Sequence, residues 1–191
     1  VPRPAYDFYF LRNRLSCGVW LPGDEETLEH IDIRQVTFHA GMYEQGAVPG
    51  AWFGWQGLAE HGFAPVARGG AVTLLAREGR ADLDVPVDEP RRDRPFFCEG
   101  WKGRLMDERQ GPLWVYGAGT LRLVVTAASP TPAMLWVDGE IVDRTRVDGT
   151  ATFAAELAGQ DWHAVVLEEP ALLATEPPQG LELESLVLGR R

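Results

Sequence analysis

The sequence predicts an all-β chain, an antiparallel sandwich or barrel with little helix. From about Pro95 onward, short apolar stretches of period two alternate with turn residues at the spacing of antiparallel strands. Two Asp-Gly pairs, Asp138-Gly139 and Asp148-Gly149, fall between such stretches, where a two-residue turn with positive φ at both centres joins neighbouring strands. Only one short segment, DEETLEH at Asp24 to His30, has the acidic start of a helix, with Asp24 as its cap.

In chain order, YDFYFL, CGVWL, GAVTLLARE and RADLDVPV are β-like, and HIDIRQVTFHA (His30 to Ala40) is a long alternating strand. In that segment Ile31, Ile33, Gln35, Thr37 and His39 share one face, and the mixed polarity of both faces predicts partial burial. The charged stretch Asp88 to Arg94 (DEPRRDR) is the best linker. It separates an irregular β-rich half, 1–88, from a more regular half, 95–191; the first is either a second module or extra strands of one sandwich.

Beyond the linker, Thr120 to Thr126 puts Leu121, Leu123 and Val125 on one face and Arg122 on the other. Ala133 to Val137 turns at Asp138-Gly139, a register that sets Trp136 against Ile141 and Leu135 against Val142. Asp148-Gly149 then leads into Thr150 to Leu157, making a three-stranded meander. Trp162 to Leu167 and Leu181 to Leu188 complete the set. The last places Leu181, Leu183, Ser185 and Val187 on one face, with Glu182 and Glu184 in solvent. The intervening EPALLATEPPQG is a proline-interrupted loop.

A chain of 191 residues with 45% hydrophobic and 24% charged side chains is globular and buries roughly 70% of its unfolded surface. Its net charge of −10 disfavours nucleic acid, whose binding depends on a basic surface, and anionic membranes for the same reason. No apolar run reaches the ~18 residues of a membrane span, so no membrane insertion is expected. The start lacks both a leader pattern and an initiator Met, which suggests a processed form or an excised fragment. Cys17 and Cys98 do not have the spacing of a zinc site; they read as two buried thiols, with a single disulfide, and hence an oxidising compartment, as the alternative.

GAWFGWQG (Gly50 to Gly57) sets aromatic residues among glycines, and its GWQG is echoed by Gly100-Trp101-Lys102-Gly103. The next glycine-led strands lie 15 residues beyond Trp55 (Gly70) and 18 beyond Trp101 (Gly119), a mismatch that argues against a duplication. The segment Gly41 to Gly57 reads instead as an irregular loop carrying Tyr43, Trp52, Phe53 and Trp55. Indole rings in loops pack on the apolar face of a pyranose while polar neighbours fix its hydroxyls. Trp101 and Trp114 flank a second, charged loop with Arg104 and Glu108. His39, Glu44 and His61 are possible metal ligands, but their spacing matches no established cluster. His163 reads as an ordinary half-buried strand residue.

Gly100-Trp101, the strand Leu113-Trp114-Val115, the glycine-led strand Gly119 to Val125, Val137-Asp138-Gly139, Trp162 to Leu167 and the closing amphipathic strand Leu181 to Leu188 follow one another in a layout. It resembles the accessory β-sandwich modules of galactose-binding-like, jelly-roll type found in carbohydrate-active and cell-surface proteins. The resemblance covers 95–188. It implies an antiparallel β-sandwich of jelly-roll type and a non-catalytic module that binds a glycan or other small polar ligand with no cofactor, attached to an exported or cell-surface host. The expected ligand-binding residues are Tyr43, Trp52, Trp55, Trp101, Arg104, Glu108 and Trp114. The alternatives are a structural or protein-interaction domain, with a protein partner anchored on Trp52 and Trp55, and a small hydrolase or metal-dependent enzyme using His39, Glu44 and His61.

Overall fold

The computed structural model describes residues 14–39, 51–77, 89–106, 108–170 and 180–189. The predicted strands YDFYFL and RADLDVPV, Tyr43, Glu44 and most of the proline-interrupted loop lie outside the described residues. The chain divides into two compact units, Val1–Pro90 and Arg91–Arg191. Strand dominates, helix is sparse and the strand pairings are all antiparallel, as expected.

The amino-terminal unit runs α1 (Asp24–His30), β1 (Gln35–His39), α2 (Ala51–Glu60), β2 (Ala64–Gly69) and β3 (Val72–Ala76), with its sheet in the order β1-β3-β2. Leu28, Phe38, Leu58, Phe63 and Leu75 form its core, and Trp20, Ile33 and Trp55 pack against them. The acidic segment is a helix, but Gly23 occupies the cap at φ 92° and Asp24 begins the first turn. Its carboxylate faces inward, accepting the Leu21 amide at 2.8 Å and pairing with the buried Arg14 guanidinium. Burial raises the Asp24 pKa above the usual carboxylate value, while Arg14 and the Leu21 amide work in the opposite direction. His30 to Ala40 is not one strand: His30 closes α1, and the ladder starts at Gln35, where Val36 and Phe38 turn inward.

GAWFGWQG is the largest departure from expectation. Ala51–Glu60 is a helix, and its buried residues Phe53, Gly54, Gly57 and Leu58 lie along one side. Its glycine at 57 serves close packing. A Cβ on Gly57 would lie 2.8 Å from the Gly18 Cα, and one on Gly18 (φ 68°) would lie 1.9 Å from the Phe53 carbonyl oxygen. The turn after Cys17 is thus pressed directly on the helix backbone, so CGVWL is a turn and not a strand. The cysteines also differ from the thiol reading: neither Cys17 nor Cys98 is free, and both are disulfide-bonded.

The carboxy-terminal unit contains β4 (Phe96–Phe97), β5 (Trp101–Lys102), β6 (Leu105–Met106), β7 (Gln110–Tyr116), β8 (Gly119–Val137), β9 (Glu140–Leu157), β10 (Trp162–Glu168) and β11 (Leu181–Gly189). Together they make a nearly closed, barrel-like sandwich. Thr120 to Thr126 and Ala133 to Val137 are two halves of the single strand β8, and β9 follows it along both. The first half pairs with β11 and the second with β10, so the long hairpin joins the two ends of the sheet. In hydrogen-bonded order the strands run β4-β7-β10-β8-β11-β6-β5, with β9 paired along β8. Leu121, Leu123, Leu135, Phe153, Val165 and Leu181 represent their shared core.

The strand bends where the ladder shifts between Ala127 and Thr131. Pro130 and Pro132 supply no backbone donor there, which suits a break in the ladder. On β9 the same bend falls at Asp148-Gly149, with Gly149 at φ 74°. This Asp-Gly therefore lies within one strand, opposite the extra residues of β8, and the expected three-stranded meander is a two-stranded ribbon. Asp138-Gly139 is a two-residue turn with φ of 49° and 81°, as predicted. Trp136 does face Ile141, but Leu135 faces Asp143, because Val142 bulges outward and is 43% exposed. A second bulge between Leu183 and Ser185 reverses the faces of β11: Leu186 and Leu188 pack on the core, and Val187 is 56% exposed.

Candidate ligand-binding face

Alternation along β7, β8 and β10 gives their sheet two unlike faces. Leu113, Val115, Leu135, Val137, Val165 and Leu167 point into the core. The opposite rows consist of Gln110, Pro112, Trp114 and Tyr116 on β7, Trp162, Ala164, Val166 and Glu168 on β10, and Met134 and Trp136 on β8. An outer face is ordinarily polar, whereas this one carries three tryptophans.

Register fixes the arrangement. Trp114 lies between Phe96 on β4 and Ala164 on β10, and Trp136 is paired with Val166 one row along. Trp114 and Trp136 are thus two strands apart, about 10 Å at normal sheet spacing, with the small Ala164 between their columns. Both indoles are half-buried, as are Phe96 and Met134. Val166 is only 1% exposed although it points away from the core.

Glu168 supplies the polar component. Its carboxylate accepts the Gln110 side-chain amide at 3.1 Å and the Trp136 indole N–H at 2.7 Å. The carboxylate is thereby oriented beside the ring that helps hold it. Buried behind it, Arg109 and Glu169 form an ion pair at 3.7 Å, and the Glu169 amide donates to the Arg109 carbonyl. At the other end of β10, His163 faces inward and is buried; its Nδ1 lies 2.7 Å from an Asp138 carboxylate oxygen, while its Nε2 is buried without a hydrogen-bond partner. The second oxygen of Asp138 accepts the Ala164 amide. His163 is therefore built into the hairpin and is not half-exposed.

Of the described residues expected to bind, Trp114 alone lies on this face. Trp52 and Trp55 belong to α2 of the amino-terminal unit and are half-buried; Trp52 meets Phe53 edge to face at 5.1 Å, and Trp55 packs on the core. Trp101 lies on the core side of the sheet. Its ring occupies the space a Cβ on Gly111 would need, its N–H donates to the Pro112 carbonyl at 3.1 Å, and it meets Phe97 edge to face. Arg104 donates at 2.6 Å to the carbonyl of Glu184, the residue at the β11 bulge. Glu108 is half-buried in the bend before β7.

Sequence reasoning missed Trp136, Glu168, Gln110 and Met134. One signal was present: Trp162 to Leu167 is apolar on both alternating rows apart from His163, which marks a strand with a second covered or functional face.

His39 is exposed on β1, and His61 stacks on Trp20 with ring centroids 3.6 Å apart. Among the described residues no group of three or more His, Cys, Asp or Glu side chains is placed to hold a metal, and no described helix is long and apolar enough to cross a membrane.

No family model and no curated protein matches the chain. Among solved structures it is similar to the secreted serine protease VesC from Vibrio cholerae at 6% identity, with a TM-score of 0.39, over 51% of this chain and 24% of that one. The match spans about a quarter of that protein.

Proposed function

We propose that the carboxy-terminal unit is a non-catalytic glycan-binding module and that the outer face of the β4-β7-β10-β8 sheet is its binding surface. The observation that carries this reading is the Glu168 carboxylate held between the Gln110 amide and the Trp136 indole on a face shared with Trp114. A sugar ring needs an apolar platform for its C–H face and fixed polar groups for its hydroxyls. Trp114 and Trp136 supply the first, Glu168 and Gln110 the second.

The test is a glycan array followed by titration of tryptophan fluorescence. Trp114→Ala and Trp136→Ala are each expected to weaken binding by about 1–2 kcal/mol, the scale of a lost aromatic contact and its area. Glu168→Gln keeps the shape and removes the charge-assisted acceptor. Glycan silence with unchanged fluorescence across neutral and acidic oligosaccharides refutes the proposal. A stable oligomer in light scattering that Trp114→Arg dissolves replaces it with a protein-interaction role.

A further inference from the structure

We infer that the cleft at the β7–β8 turn is a subsite for one neutral, hydroxyl-rich sugar ring at the end of a glycan chain; this rests on the sheet face being the glycan surface. The cleft has a volume of about 350 Å³ and is lined by Arg92, Asp93, Tyr116, Gly117, Ala118 and Gln160. That is near the lower end of the roughly 300–1,000 Å³ of small-molecule sites, a size for one or two rings and not an extended chain.

The cleft continues the row of the aromatic face. Tyr116 follows Trp114 by two residues on the same side of β7, and it meets Trp162, its cross-strand neighbour, edge to face at 5.3 Å. The walls are preset. The Arg92 guanidinium lies 4.7 Å from the centre of the Tyr116 ring and donates to the Tyr116 hydroxyl at 3.1 Å, two contacts that orient its planar fork. Gly117, at φ 113°, forms the floor, and its amide donates to the Asp161 carbonyl, tying the turn to the loop that carries Gln160. The Gln160 Oε1 lies 3.6 Å from where a Cβ on Gly117 would be, so the glycine brings that amide over the floor.

Ligand class follows from the functional groups. One guanidinium, one carboxylate, one carboxamide and one phenol combine donors and acceptors with no net charge. An anionic ligand gains Arg92 but meets Asp93, whereas adjacent hydroxyls, each both donor and acceptor, use every group. The aromatic face gives area and the cleft gives choice of sugar.

The test uses amide NMR spectra of the intact chain titrated with methyl glycosides of galactose, glucose and mannose, with glucuronate, and with an oligosaccharide that scores on the array. Variants are Gln160→Ala, Tyr116→Phe and Trp114→Ala. One neutral glycoside is expected to shift Gly117, Ala118 and the Gln160 side-chain amide. Its binding should fall about fivefold in Gln160→Ala and in Tyr116→Phe, the effect of one lost hydrogen bond, and Trp114→Ala should weaken the oligosaccharide. Tighter binding of glucuronate than of any neutral glycoside overturns the ligand class. Oligosaccharide binding that depends on Trp114 without any shift at Gly117 or Gln160 overturns the subsite and leaves the face intact; no binding of any sugar overturns both.

Discussion

Replacing Gly57 by Ala tests whether the glycines of GAWFGWQG are packing devices or remnants of a loop. In an unconstrained helix interior, Ala is favoured over Gly by about 1 kcal/mol, so propensity alone makes Gly57→Ala stabilising. The structure predicts the opposite sign. The added Cβ would lie 2.8 Å from the Gly18 Cα, 2.9 Å from the Gly18 carbonyl oxygen and 2.9 Å from the Trp20 indole nitrogen. The first two are backbone atoms, which cannot swing aside as the end of a flexible side chain can, and Gly18 is itself pressed on the same helix, its own Cβ position 1.9 Å from the Phe53 carbonyl oxygen. Overpacking of this kind costs about 1–3 kcal/mol, which against the propensity gain leaves a net loss of up to about 2 kcal/mol. For a unit of this size that corresponds to roughly 4–8 °C of melting temperature per kcal/mol. Gly69→Ala, on β2 with nothing within 4 Å of the new methyl, is the control. The assay is urea and thermal unfolding of the intact chain, with hydrogen exchange of the α2 amides to assign the change to that unit. A Gly57→Ala protein as stable as the parent, or more so, refutes the packing argument.

Three further outcomes are expected. Arg109→Met should cost about 3–5 kcal/mol because it removes the charge partner of the buried Glu169 carboxylate, and adding Glu169→Leu should restore most of the loss; urea midpoints of the single and double variants check this. Asp24 has a folded pKa above its unfolded value of 3.8, so its contribution favours folding at acid pH and is lost as pH rises through the folded value. Subtracting the Asp24→Asn stability curve from that of the parent, over about pH 3 to 7, should therefore show a decline with rising pH, and a rise contradicts the burial argument. Asp138→Ala should cost about 1–3 kcal/mol, since it removes the acceptor of the Ala164 amide and the His163 contact and leaves Ala at φ 49°. Asp138→Asn, which tolerates that φ, should cost less, as measured by thermal unfolding.

Alternation and turn chemistry determined much of the carboxy-terminal unit by themselves. Leu121, Leu123 and Val125 are inward and Arg122 outward because a strand has a side-chain period of two, and Asp138-Gly139 is a tight turn because both positions need positive φ. The net charge of −10 and the absence of long apolar runs were equally legible.

Tertiary structure decided the rest. A bulge changes the face of every residue after it, so Val187 and Leu188 exchange sides once the ladder slips at Glu184, and no local pattern announces the slip. Asp148-Gly149 has the same composition as the true hairpin turn, yet its strand continues because β8, bent across two prolines, runs alongside it. The glycines of α2 look like loop formers until Gly18 is brought against them. The candidate site follows the same rule. Gln110, Trp114, Trp136 and Glu168 come from three strands spread over 59 positions of the chain, and only the pairing of β7 and β8 with β10 sets them side by side.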